Sequence, residues 1–131
     1  MERFFFKKDQ RLKTNEQFKG VLSGKCCVSN ELFKLYTVSN NVGFARLGVS
    51  VGKNSGNAVY RNRIKRLVRE VFRVEQHNIP TNYDFLLIFS SKMTKKSGQG
   101  LPKKVEKLSF EQVRSSFLDL TQRAVRKAVE R

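Results

Sequence analysis

Between Arg61 and Arg73 the chain carries six basic side chains, Arg61, Arg63, Lys65, Arg66, Arg69 and Arg73, against a single acid, Glu70. Five of the six are arginine, whose planar fork fits a phosphate or a base edge better than a point charge does. Arg61, Lys65, Arg69 and Arg73 stand four residues apart, so a helix would gather them toward one sector, with Asn62 and Arg66 near it. Like charges at that spacing cost a helix roughly a few tenths of a kcal/mol per pair. A polyanion would remove the repulsion and release its own counterions. A solvated basic face is the plainer alternative, but six cations in thirteen residues are dense for that purpose. The chemistry is that of holding phosphates, and nucleic acid is the partner it fits.

A second set of residues points the same way. Lys34, Tyr36, Arg46 and Ser50 fall on alternate positions of two strand-like runs, and Phe18 lies upstream on a short helical pattern. Cations interleaved with aromatic rings suit a single strand, charge for its backbone and ring faces for its bases. Taken alone the signal is weak, since residues such as Phe18 and Tyr36 are more often core or edge residues. No catalytic constellation accompanies either set. His77 is the lone histidine and has no identifiable partner, and the eleven acids form no pair suited to two-metal hydrolysis. The glycines from Gly48 to Gly56 do not have the spacing of a nucleotide-binding phosphate loop. Cys26 and Cys27 are adjacent, a poor structural cross-link, and with one histidine they make no zinc set; they read as strand residues. If the protein serves an enzyme, the reactive groups lie elsewhere.

Whole-chain arithmetic bounds these readings. There are 131 residues, with 27 Lys and Arg against 11 Asp and Glu, a net charge of +16. That length fits one domain, expected to run over residues 1–131. Eleven phenylalanines and a 39% hydrophobic fraction supply a core, which a disordered basic tail would lack. The longest apolar run, Phe85–Phe89, is five residues, against about 20 for a spanning helix. The N-terminal run of three apolar residues is too short for a signal peptide. The expectation is a cytoplasmic protein with no membrane partner.

The elements that must position the two sets can be read from punctuation and period. Thr14-Asn-Glu-Gln17 has the form of a capping box, followed by Phe18, Val21 and Leu22 on one face, with Gly24 as the stop. Leu32–Val38 and Phe44–Val51 alternate as strands, with Phe33 and Leu35, then Leu47, Val49 and Val51, on their apolar faces. Ser39-Asn-Asn41 between them reads as a turn, so the pair is expected to be a hairpin. Asn57 is a plausible N-cap for a helix from Ala58 to about Gln76, whose stripe is Ile64, Leu67, Val68, Val71 and Phe72. Tyr83–Phe89 is a continuous apolar strand and belongs in the middle of a sheet. A Ser-, Lys- and Gly-rich loop follows, densest in lysine over 92–107. Ser109-Phe-Glu-Gln112 is a second capping box, opening a helix with Val113, Phe117, Leu120, Ala124 and Ala128 on one face. The order α-β-β-α-β-α predicts an α+β fold, a two-layer sandwich of helices on a sheet.

The strings Gly48-Val-Ser-Val-Gly-Lys53 and Gly56-Asn-Ala-Val-Tyr-Arg-Asn-Arg-Ile-Lys-Arg-Leu-Val-Arg69 closely resemble the signature of the protein subunit of bacterial ribonuclease P, with Arg61-Asn62-Arg63 at its heart. Arg11-Leu-Lys-Thr-Asn-Glu-Gln-Phe18 and the Phe33–Tyr36 run resemble it as well, so the likeness spans about residues 10–125. The resemblance implies an α-β-β-α-β-α sandwich with a left-handed β-α-β crossover, a handedness that periodicity could not supply. It implies the protein subunit of a ribonucleoprotein endoribonuclease that removes the 5′ leader of precursor tRNA. A catalytic RNA performs the hydrolysis with magnesium ions that it binds. The partners implied are that RNA and precursor tRNA, with no DNA expected. Arg61, Asn62, Arg63, Lys65, Arg66 and Arg69 would face the catalytic RNA near bound metal. Phe18, Tyr36 and Lys53, with Lys34 and Arg46 on the same face, would line the cleft for the leader. Two departures stand out. Leu22 occupies a place where the family often has a second aromatic, and no Phe or Tyr follows Phe117, so leader stacking would lean more on cations. A basic ribosomal-type protein without a processing role is the competing assignment, and a nuclease acting without RNA a third.

Overall fold

A computed structural model describes residues 10–52, 57–89 and 108–130. Lys53 and the Lys-rich 92–107 segment lie outside the described residues. The elements in chain order are α1 (Asn15–Ser23), β1 (Cys27–Ser29), β2 (Phe33–Ser39), β3 (Arg46–Val51), α2 (Ala58–Glu75), β4 (Tyr83–Phe89) and α3 (Phe110–Val129). The α+β class, the three helices and the three longer strands stand where the sequence puts them.

Local chemistry explains the boundaries. Thr14 Oγ1 accepts from the Gln17 amide at 3.1 Å, and the Gln17 side chain accepts in return from the Thr14 amide at 3.2 Å. Ser109 and Gln112 repeat the arrangement at the start of α3. The Asn57 side chain caps α2 by accepting from the Tyr60 amide at 2.9 Å. Each such cap satisfies donors that a helix start leaves bare, and is worth about 1 kcal/mol. Gly24 does end α1, but in an ordinary right-handed conformation; it is Lys25 that adopts φ 57°, the left-handed turn out of the helix.

The sheet corrects the expected hairpin. Its order is β1-β2-β4-β3, so β2 and β3 are not neighbours. β4 sits between them, antiparallel to β2 and parallel to β3. The physical reason lies in β4 itself. Phe85, Leu86, Leu87 and Phe89 are all buried, so the strand must cover both of its faces, and an inner position does so. Asn40 of the expected turn serves this arrangement. Its amide N–H donates to the Asn82 carbonyl at 2.7 Å and its side chain to Asp84 at 2.8 Å, binding the end of β2 to the start of β4. A fourth strand, β1, joins the three that the sequence shows; its three residues are too few to display a period. The outer edge of β3 is covered by Arg11 and Leu12, with the Leu12 amide donating to the Leu47 carbonyl at 3.0 Å.

Alternation then sorts the residues onto two faces. Phe33, Leu35, Leu47, Phe85, Leu87 and Phe89 pack against Ile64, Val68, Val71 and Phe72 of α2 and Val113, Phe117, Leu120 and Ala124 of α3. Phe72 and Phe117 meet edge to face at 6.3 Å, tying the two helices together. Truncating either ring would cost about 3–5 kcal/mol. The opposite face has a smaller apolar cluster, Leu12, Val21 and Leu86, with Phe18, Tyr36, Val38 and Ile88 around it. α1 covers part of that face, leaving Leu22 exposed rather than in the apolar stripe expected of it.

Candidate nucleic-acid interface

The register places the predicted cleft residues on three adjacent rows of the α1-side face. One row is Val38, Asp84 and Arg46; the next is Tyr36, Leu86 and Gly48; the third is Lys34, Ile88 and Ser50. Phe18 reaches the middle row from α1, since both it and Tyr36 pack around Leu86. Lys34 Nζ lies 5.4 Å from the centre of the Tyr36 ring. The hydrogen bond to Tyr36, helped by nearby Cys27, holds the Lys34 ammonium above its ordinary pKa, so it stays charged. Of the predicted cleft residues that are described, Phe18 alone lines a cleft of about 350 Å³ at β3, together with Gly48, Val49, Leu47, Arg11, Leu12, Lys13 and Arg69; Tyr36, Lys34 and Arg46 lie on the same face of the sheet outside that lining.

Arg46 is on the predicted face but is already engaged. Its Nε and Nη2 donate to the two oxygens of Asp84, each at 2.7 Å. The pairing raises the Arg46 pKa, and only 19% of its side chain is exposed. It braces β3 against β4, and its fork is closed on a carboxylate rather than open to a phosphate. The sequence could not show this, because Asp84 becomes its neighbour only through the β3–β4 pairing.

On α2 the cations divide. Arg63 and Arg66 are exposed and line an open groove of about 820 Å³ together with Arg11, Val59, Leu67, Arg69 and Glu70. Arg63 also donates to the Leu108 carbonyl at 3.3 Å, which links the groove to the start of α3. Asn62 is exposed, while Lys65 and Arg69 are half-buried along the flank. Arg61 is nearer the core than the spacing argument places it. Seven residues, almost two full turns, separate it from buried Val68, so the two point the same way. Its Nε is buried with no hydrogen-bond partner among the described residues. An unmet buried donor costs about 1–3 kcal/mol, which an incoming acceptor recovers. Arg69 has its pKa lowered by burial first and by nearby Arg11 second. The two cations therefore stand close together, and Arg11 and Arg69 line both the groove and the cleft.

Arg11, Lys13 and Gly48 are site residues that the sequence patterns did not single out. Arg11 and Lys13 precede the first helix and have no period to place them. Gly48 did carry a signal: a glycine inside an alternating strand marks a close approach of something to the backbone.

A four-stranded mixed sheet with a cation-rich helix over one face and an aromatic, cationic cleft on the other defines an α+β protein suited to a polyanionic partner. The family model described as Ribonuclease P matches residues 6–114. The ribonuclease P protein component of Bacillus pumilus is 45% identical over 83 residues, 63% of this chain and 70% of that protein. That of a Thermoanaerobacter species is 35% identical over 98 residues, 75% of this chain and 84% of its own. Among solved structures, the RNase P protein from Thermotoga maritima superposes with a TM-score of 0.73 at 30% identity, covering 86% of this chain and 96% of that one. The Staphylococcus aureus RNase P protein gives 0.68 at 31% identity, covering 88% and 94%. The chain belongs to the ribonuclease P protein family. As a member it is a protein component of a ribonuclease that has an RNA partner.

Proposed function

We propose that this protein assists a catalytic RNA in the endonucleolytic removal of the 5′ leader from precursor tRNA. The observation that carries the reading is the meeting of two surfaces at Arg11 and Arg69: the α2 groove on one side and the Phe18 cleft on the other. The groove, with Arg61, Asn62, Arg63, Lys65, Arg66 and Arg69, binds and stabilises the catalytic RNA. The cleft and the sheet face beside it, with Phe18, Tyr36 and Lys34, take the single-stranded leader, joined in this reading by Lys53, and Arg46 braces that face through Asp84. One strand crossing from cleft to groove would pass the paired arginines, where a phosphate relieves their repulsion.

Hydrolysis belongs to the RNA and its magnesium ions in this reading. The described residues do not fit a magnesium site of their own: the one carboxylate lining the groove, Glu70, is closed on Arg73, whereas magnesium takes oxygen ligands in a near-octahedral shell. The protein acts in the cytoplasm on RNA, not DNA. No described helix is long and apolar enough to cross a membrane. Reconstitution tests the proposal. Added to a bacterial ribonuclease P RNA at low magnesium, the protein should stimulate 5′ cleavage of precursor tRNA. Failure to do so, with an RNA that another family member stimulates, overturns it. Cleavage with no RNA subunit present would also overturn it.

A further inference from the structure

Gly48 lies in the middle of β3 on the cleft face, in the row it shares with Leu86 and Tyr36. A Cβ built there would stand 2.7 Å from Cε1 of Phe18 and 3.2 Å from both Cβ and Cδ1 of Leu12. Carbon atoms do not stand 2.7 Å apart, whereas the 3.2 Å contacts to Leu12 are tight but need only a shift of a few tenths of an ångström, so it is the ring of Phe18 that occupies the space another residue at 48 would fill. Glycine is not required here by a left-handed backbone, since Gly43 is the glycine with positive φ among those described. It is required by the ring.

The neighbours decide which way the ring would move. Leu12 is pinned, because its amide is bonded to the Leu47 carbonyl of the same strand. α1 is fixed at its start by the reciprocal cap of Thr14 and Gln17. The open side is the cleft of about 350 Å³ that Phe18 itself lines. We propose that Gly48 is a positioning residue for RNA binding: by lacking a side chain it seats the Phe18 ring down on β3, and so keeps the cleft open for a base of the leader. This inference rests on the leader-binding reading of the cleft given above.

A double-mutant cycle of Gly48→Ala and Phe18→Ala in the reconstituted holoenzyme tests it. Gly48→Ala should weaken precursor tRNA binding by about 5- to 100-fold, the range of one lost base stack, and mature tRNA binding by less than about twofold. In the Phe18→Ala background, Gly48→Ala should change precursor binding by less than about twofold. An undiminished effect in that background, or no effect of Gly48→Ala on its own, overturns the inference. The melting midpoint gives an independent reading should Gly48→Ala fold poorly. The double variant should melt within about 2 °C of Phe18→Ala, because removing the ring removes the clash. A double variant well below that would mean that Leu12 or the strand, not Phe18, demands the glycine. If Phe18→Ala leaves precursor binding untouched, the leader reading fails, while the midpoints still decide the packing of Gly48 on Phe18.

Discussion

α2 and α3 are both long amphipathic helices laid on the same face of the sheet, and both are rich in arginine and lysine. They use those charges in opposite ways. On α3, Arg114 donates to Glu75 at 2.5 Å and to Glu111 at 3.2 Å. Arg123 reaches Asp119 and the Ser29 carbonyl, each at 3.3 Å, and Lys127 reaches the Cys27 carbonyl at 2.9 Å. Since Cys26 and Asn30 bond inward to β2, the carbonyls of Cys27 and Ser29 are those left on the outer edge of β1, and α3 closes that edge with cations. On α2 the acids are Glu70, paired with Arg73, and Glu75, given to α3. Among the described residues Lys65 and Arg66 have no acid partner, and Arg61 holds a buried donor with nothing to donate to. α2 carries six cations against two acids and α3 four against two, but the sharper difference lies in the partners of the charges. Arg114, Arg123 and Lys127 hold the fold, and the α2 cations without an acid partner are the ones proposed to face the RNA.

That contrast can be broken experimentally. Replacing Arg61 and Arg66 together with Ala should lower affinity for the catalytic RNA by about 100-fold, since each charge-assisted hydrogen bond contributes about 1.5–3 kcal/mol. The slope of log affinity against log salt should become shallower by about one to two. Filter binding across a salt series checks both. Replacing Phe18 and Tyr36 with Ala should cut precursor tRNA affinity by about tenfold or more and spare mature tRNA. Equal loss for both RNAs would remove the distinction between cleft and groove.

Smaller effects belong to the structural charges. Glu75 is buried, and its hydrogen bonds, from Arg114 first and Asn78 second, hold its carboxyl below the ordinary value of 4.5. A carboxyl with a lowered folded pKa stabilises the fold above the unfolded value, and that contribution is lost as pH falls through the folded one. Glu75→Gln should therefore lower the melting midpoint at neutral pH by roughly 5 °C. The gap from wild type should close progressively below about pH 4.5. Thermal melts across that range check the direction. Smallest of all, Arg123→Ala with Lys127→Ala should leave catalytic-RNA affinity within about threefold and show up instead as faster hydrogen exchange in β1. A loss as large as that of the α2 pair would erase the contrast between the helices.

The parts of the molecule legible from sequence are those set by local chemistry. Two capping boxes, the Asn57 cap, the stripe of α2 and the whole of β4 follow from residues within a few positions of one another. What was not legible is what the chain brings together from afar. Alternation in Leu32–Val38 and Phe44–Val51 fixes which side chains share a face but says nothing of which strands touch, so the hairpin gave way to an inserted β4. The same gap hid the Arg46–Asp84 pair and placed Arg46 among the open cations. The cation face of α2 was visible as a density of charge, yet the inward turn of Arg61 was set by where the core lies. Gly48 announced a close approach without naming Phe18 as the group that approaches.

The central claim is that two surfaces of one small protein hold two different RNAs. Site-directed crosslinking reads this directly. A photoreactive group is placed at Asn62→Cys on α2, or at Ser50→Cys on the third row of the cleft face, each with Cys27→Ser to avoid labelling the half-buried native thiol. In the reconstituted holoenzyme with precursor tRNA bound, position 62 should crosslink the catalytic RNA and position 50 the 5′ leader. Crosslinks from both positions to the same RNA strand, or the two exchanged, would contradict the account.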